Sequence, residues 1–178
     1  MKYYRTTLTI FLLYINTLLS SLYAQDAVNW QPIQQAETLG QKQQKKILIN
    51  IFTTWSEGSK ELDRTLINQD YMAKYLNDNF IAVKLDAETK EDVVFKGKTY
   101  KLMSQKGVNF NELAAELMNG QIHYPTLVFL EPNGTLIQTI QYRSPEQFEM
   151  IIRYFGDDNY KKMTWKKYEK CFVSLKPR

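Results

Sequence analysis

Hydrophobic and polar positions recur at two different periods along this chain, and the changes of period mark its elements. Ile33, Ala36 and Leu39 stand three residues apart, so one face of an amphipathic helix is predicted, closed by Gly40 and the Gln/Lys run behind it. Residues 47–52 are almost unbroken apolar and rich in isoleucine, which suits a central strand covered on both faces. A helix over 60–67 follows, continued by a segment that Asp70 is placed to cap and that carries Met72, Tyr75 and Leu76. Residues 80–85 read as the next strand, and residues 93–100 as a small hairpin turning at Lys96-Gly97. A short helix over 111–119 ends at Gly120.

The C-terminal half has clearer punctuation. A strand at 126–130 and its antiparallel partner at 135–142 are joined by Glu131-Pro132-Asn133-Gly134, a β-turn sequence with its glycine last. Ser144-Pro145-Glu146-Gln147 combines a capping serine, a proline at the first helical position and a glutamine three residues on. A helix begins there and buries Phe148, Ile151, Ile152 and Phe155 before Gly156. A final short helix, capped by Thr164, carries Trp165, Tyr168 and Phe172. The order helix, strand, helix, strand, insertion, strand, strand, helix is that of an α/β chain whose mixed sheet has helices on both faces.

The first residues follow another logic. Met1-Lys2-Tyr3-Tyr4-Arg5 is basic, an apolar run follows, and Ser20-Ser21-Leu22-Tyr23-Ala24 is small and polar, the three parts of a signal peptide cleaved after Ala24. Thr9, Asn16 and Thr17 interrupt the run, which falls short of the ~20 apolar residues that a membrane span prefers. No cysteine stands at its end, where a lipid would be attached, so a lipid anchor is not expected. The expectation is a periplasmic protein with no membrane attachment after cleavage. Its residues 25–178 form one domain with an insertion at 91–120 and a C-terminal extension at 157–178.

Charge narrows the partners. The formal net charge is +4, but residues 25–158 hold 14 basic and 18 acidic side chains, whereas from Asn159 onward seven basic residues face Glu169 alone. The excess belongs to a tail, and Lys161, Lys162, Lys166, Lys167 and Lys170 read as a solvated helix face; no nucleic acid partner is expected. Cys171 is the only cysteine, so no internal disulfide and no chemistry needing two thiols of this chain is possible. Beside Phe172 and Val173 it reads as a small apolar filler. One histidine and one distant cysteine make no metal site, and no cofactor is implied.

The stretch Ile47-Leu48-Ile49-Asn50-Ile51-Phe52-Thr53-Thr54-Trp55-Ser56-Glu57-Gly58-Ser59-Lys60 delivers a buried strand into a helix start. On its own terms Ser56 and Ser59 are helix-capping serines, and Thr54-Trp55-Ser56-Glu57 is readable as a capping box. The stretch also resembles the active-site segment of the thioredoxin superfamily, where a strand leads into Trp-Cys-x-x-Cys-Lys. Tyr124-Pro125-Thr126-Leu127-Val128-Phe129-Leu130 is similar to that family's cis-proline loop and following strand, and the Glu-Pro-Asn-Gly hairpin with its capped helix is similar to the family's C-terminal half. The resemblance runs from Trp30 to about Phe155. The insertion and the extension are similar to those of exported bacterial thioredoxin-like proteins.

The resemblance implies a thioredoxin-like fold in which Ser56 occupies the position of the attacking cysteine, Ser59 that of the resolving cysteine and Asn50 that of a buried aspartate assisting proton transfer. A serine hydroxyl is not ionised near neutral pH and makes no comparable reversible bond, so thiol-disulfide exchange is not expected at this motif, and no residue is assigned as catalytic. What remains is a candidate binding groove of Trp55, Ser56, Glu57, Gly58, Ser59, His123, Tyr124 and a cis Pro125. In the family this groove holds an extended polypeptide through the backbone of the residue before the proline, so an extended polypeptide or a partner protein is the expected ligand. Two other readings stand beside it: a redox or protein-folding role through Cys171 or a partner's thiols, and hydrolysis by Ser56 with His123 as base. The second lacks an orienting acid and a nucleophile elbow.

Overall fold

The structure, a computed structural model, describes residues 27–67, 69–142 and 144–175. The expected signal peptide and its cleavage point lie outside the described residues. Helix α1 (Ile33–Gln43) leads into strand β1 (Lys46–Phe52), helix α2 (Glu57–Leu62), a π-helical turn (Asp63–Ile67), helix α3 (Asp70–Asn79) and strand β2 (Phe80–Asp86). Two hairpins follow, β3 (Val93–Phe95) with β4 (Lys98–Tyr100), and β5 (Leu102–Gln105) with β6 (Val108–Asn111), then helix α4 (Glu112–Leu117). Strands β7 (Thr126–Leu130) and β8 (Leu136–Gln141), helix α5 (Pro145–Gly156), a 3-10 turn (Asn159–Lys161) and helix α6 (Trp165–Cys171) complete the chain.

The central sheet has the order β2-β1-β7-β8, with β1 parallel to β2 and antiparallel to β7, and β7 antiparallel to β8. Strand β1 is interior, as its almost unbroken apolar composition predicts, and its five middle residues, Asn50 included, are all buried. Its alternation divides the core in two. Ile47, Ile49 and Ile51 pack with Ile33 and Ala36 of α1 and with Val93, Phe95, Tyr100, Leu113 and Met118 of the inserted region. Leu48 faces the other way, toward Leu62 of α2, Met72 and Leu76 of α3, and Phe148, Ile152 and Phe155 of α5. Phe129 anchors that second face: its ring stacks on Phe155 at 4.2 Å between centroids, and burying it contributes about 2 kcal/mol. The inserted region therefore completes the cover of the α1 face, opposite the face on which α2 lies.

Several local expectations are corrected. Gly40 does not end α1, which runs on to Gln43; a Cβ there would lie 2.6 Å from the Pro132 carbonyl oxygen, so the glycine marks where the helix meets the β7–β8 turn. The helix expected over 60–67 starts at Glu57 and passes into the π-helical turn at Asp63. Asp70 is the first residue of α3 rather than its cap, which is Gln69; its carboxylate there suits the positive end of the helix dipole. The second hairpin was not expected, and the helix of 111–119 is limited to Glu112–Leu117 with Asn111 as its cap, Oδ1 accepting from the Leu113 N–H. Ser144 and Thr164 stand at the N-cap positions, yet neither side chain makes the cap bond. Cys171 is exposed, not a core filler, and its thiol donates back to the Tyr168 carbonyl.

Candidate functional site

Strand β1 ends at Phe52, the chain turns at Thr54 and Trp55, and α2 begins, so the strand carries the motif to the end of the sheet. Ser56 is the N-cap. Its backbone is extended (φ −70°, ψ 119°), and its Oγ accepts from the Ser59 N–H at 3.3 Å, satisfying one of the donors that a helix start leaves open. The same hydroxyl donates to the Tyr124 carbonyl at 3.1 Å. Ser56 is thus 7 % exposed with both roles of its oxygen in use.

The peptide bond between Tyr124 and Pro125 is cis, and the loop that carries it lies against α2. Gly58 is the point of closest approach, since a Cβ there would lie 3.1 Å from Pro125 Cδ and 3.3 Å from the Tyr124 oxygen. Any side chain would force helix and loop apart. Trp55 stands outside this joint, 60 % exposed, held by an edge-to-face contact with Tyr124 (5.8 Å, 83°) and by its indole N–H donating to Glu88 Oε2 at 2.8 Å. Burial, with the nearby Glu88 and Asp86 carboxylates, raises the Tyr124 phenol above its ordinary range. Glu57 is exposed, and its bond to Lys60 Nζ at 2.7 Å holds its carboxyl below the usual range. His123 is exposed, and its carbonyl accepts from Thr126 Oγ1 at 2.6 Å.

Behind the motif the polar groups have other surroundings. Asn50 lies on the same face of β1 as Leu48, toward α2, and is 1 % exposed; neither its Oδ1 nor its Nδ2 has a hydrogen-bond partner among the described residues. The same holds for Thr53 Oγ1 and Ser59 Oγ. Lys84, opposite Asn50 in the β1–β2 register, pairs instead with Asp63 at 2.6 Å.

The structure brings Trp55, Ser56 and Gly58 against Tyr124 and Pro125, with Glu57 exposed beside them, whereas Ser59 is buried on the far side of α2 and His123 is exposed with no side-chain bond to the motif among the described residues. Sequence reasoning missed Glu88, which fixes the tryptophan, and its only signal was a position just beyond the end of β2. A hydrolytic arrangement is not formed: Ser56 Oγ bonds to Tyr124 O and Ser59 N, with no bond to His123 among the described residues. No group of three His, Cys, Asp or Glu that could hold a metal ion occurs among the described residues.

Residues 33–156 match the family described as a thioredoxin-like domain. A thioredoxin-fold protein from Helicobacter pylori is similar at a TM-score of 0.52 with 18% identity, over 71% of this chain and 83% of that one. A thioredoxin from Thermus thermophilus gives a TM-score of 0.53 with 14% identity, over 72% and 87%. A putative disulphide-isomerase from Bacteroides thetaiotaomicron has 19% identity over 71% and 92%, at a TM-score of 0.48. No curated protein matches the sequence. At these identities the likeness to the first two is one of fold, a mixed central sheet flanked by helices, and this chain carries a further C-terminal helical part after the matched residues.

Proposed function

Because the chain belongs to the thioredoxin-like domain family, we propose that it is an exported, redox-inactive member that binds an extended polypeptide or a partner protein in the groove beside α2 and Pro125. The observation that carries this reading is the use made of Ser56. Its hydroxyl, at the first position of the motif, caps α2 and ties it to the Tyr124 carbonyl, so it serves as a structural joint and not as a nucleophile. Cys171 lies on α6, after the matched residues, and no second thiol exists to resolve a disulfide. Trp55 and Tyr124, one exposed and the other partly so, offer a fixed aromatic surface of the kind that dominates binding interfaces.

Insulin reduction with dithiothreitol as electron donor tests the redox part. The Cys171→Ser variant is expected to stay at background, and turnover above it would sink the reading. Partner capture from periplasmic extract tests the groove: Trp55→Ala and Tyr124→Ala should lose partners that the parent retains, and identical lists would move binding to another surface. N-terminal sequencing of the periplasmic form tests export, with Gln25 expected first.

The thiol reading keeps one observation in its favour, the exposure of Cys171, which leaves it accessible to a partner's thiol. A mixed disulfide trapped on Cys171 from periplasmic extract, and absent from Cys171→Ser, would support it.

A further inference from the structure

The two edges of the central sheet are finished differently. Along β2, the segment before α1 closes the edge: the Gln31 N–H donates to the Ala82 carbonyl at 2.7 Å, and Val28 and Trp30 pack on the neighbouring core. Along β8, no strand follows in the sheet among the described residues, and a groove of about 1070 Å³ runs beside it. The ladder sets which groups face that groove. The Tyr142 N–H donates inward to the Pro125 carbonyl, so by antiparallel alternation the N–H and C=O of Gln141 and Thr139 point outward.

The walls come from parts of the chain with little else in common. One is the end of α4 with the turn after it, from Glu116 to Asn119; the other is Tyr154 of α5 with Trp165 of α6. Trp165 lies beyond residues 33–156 matched by the family, so the C-terminal extension contributes directly to this groove. The end of α4 and the turn after it reach the strand only through side chains, Thr139 Oγ1 donating to the Leu117 carbonyl at 2.9 Å and Gln141 Nε2 to Gln121 Oε1 at 3.2 Å, and other protections of an edge are sparse. Strand β8 reads Leu-Ile-Gln-Thr-Ile-Gln, without lysine or proline, and its single irregularity lies at the hairpin end, opposite Phe129 and Leu130. Among the described residues that line the groove the one charge is Glu116, already engaged by Lys98 at 2.9 Å and Tyr100 at 3.2 Å.

We infer that the β8 edge is a docking site for one extended, uncharged strand of a partner polypeptide, which pairs with the outward groups of Thr139 and Gln141. Three observations select this occupant. The outward N–H of Thr139 and the outward N–H and C=O of Gln141 form an edge that another backbone fits, and the one side-chain bond there, from Gln138 Nε2 to the Thr139 carbonyl at 3.3 Å, is an exposed contact that an incoming strand displaces. A groove with a neutral lining disfavours a charged segment, which would be desolvated without a counter-charge. Walls on both faces admit a single strand of about six residues, roughly 20 Å of edge, whereas a second copy would bring its own walls against them. The site is separate from the groove at Pro125 and does not depend on it.

The probe is an end-blocked heptapeptide of alternating threonine and valine, fluorescently labelled and titrated against the full chain. Saturable binding is expected, with amide exchange slowed at Thr139 and Gln141. N-methylation of alternate peptide residues should weaken binding at least tenfold, and Thr139→Pro should do the same, while Trp55→Ala leaves it unchanged. Should Thr139→Pro fail to fold, the N-methyl comparison on the parent protein decides alone. Equal binding of the N-methylated peptide, loss with Trp55→Ala, or no saturable binding overturns the inference. So does a dimer in sedimentation whose formation protects Thr139 and Gln141 from exchange, which would assign the edge to a second copy.

Discussion

Helix α2 presents two sides to the rest of the protein, and its two serines fall on different ones. On the outer side Ser56 has every role of its hydroxyl filled, Gly58 lets the proline loop close on the helix, and Trp55 is pinned between Tyr124 and Glu88. On the inner side Ser59, Asn50 and Thr53 are buried with polar atoms that have no partner among the described residues. A hydroxyl or amide with no protein partner adds no protein–protein hydrogen bond of the kind worth about 0.5–1.5 kcal/mol, so the inner side draws none of its cohesion from these side chains. The outer side has become a bonded joint. The difference separates two properties that a thioredoxin-like motif can combine: the geometry that presents a groove is stabilised here by its own contacts, while the groups placed behind it contribute no bond to hold it.

The largest effect tests whether the frame alone suffices for the missing chemistry. A Ser56→Cys, Ser59→Cys, Asn50→Asp triple variant places two thiols at the start of α2, where the helix dipole lowers a thiol's pKa, and a carboxylate behind them. Insulin reduction is expected to rise at least tenfold above the parent. A variant that folds, as judged by its thermal transition, yet stays at background would show that the outer joint has moved out of a working geometry.

Next in size is the joint itself. Ser56→Ala removes the cap bond to the Ser59 N–H and the bond to the Tyr124 carbonyl together, and a loss of about 1–2 kcal/mol is expected in urea unfolding. Gly58→Ala keeps both bonds but sets a methyl group 3.1 Å from Pro125 Cδ. A smaller loss of about 1 kcal/mol is expected, because the helix and loop need separate by only a few tenths of an ångström. If Gly58→Ala were the worse of the two, close packing and not hydrogen bonding would be what holds the outer side.

How much of this was legible in the sequence depended on whether local pattern or distant contact decides each feature. Strand β1, the hairpin of β7 and β8, and the helix that buries Phe148 and Ile152 follow from period and punctuation alone. The motif and its partner loop were legible because a short run of residue types fixes both. The second inserted hairpin was missed although Lys106-Gly107 repeats the Lys96-Gly97 turn, with both lysines at φ 51°, because its strands are only four residues long and mostly exposed, and the alternation of Val108 and Phe110 on β6 has no counterpart in Leu-Met-Ser-Gln on β5. Gly40 misled because a glycine near a helix end looks like a stop, when its role is contact with Pro132. The exposure of Cys171 and the groove along β8 were not legible, since both depend on how α6 sits against α5, a relation that no local pattern encodes.

The smallest expected effect is the sharpest test of the two sides. Ser59 is 3 % exposed, less than Ser56, and it occupies the motif's other cysteine position, so burial alone would rank it as the more sensitive serine. Its hydroxyl, however, has no partner among the described residues, and its backbone N–H, which does bond to Ser56 Oγ, survives substitution by alanine. Alanine also favours the helix by a few tenths of a kcal/mol. Ser59→Ala is therefore expected to lie within about 0.5 kcal/mol of the parent, or slightly above it, in the same urea titration that costs Ser56→Ala about 1–2 kcal/mol. A loss for Ser59→Ala equal to that for Ser56→Ala would mean that the inner hydroxyl is bonded after all. The inner side would then be a second joint, and the contrast between the two sides would disappear.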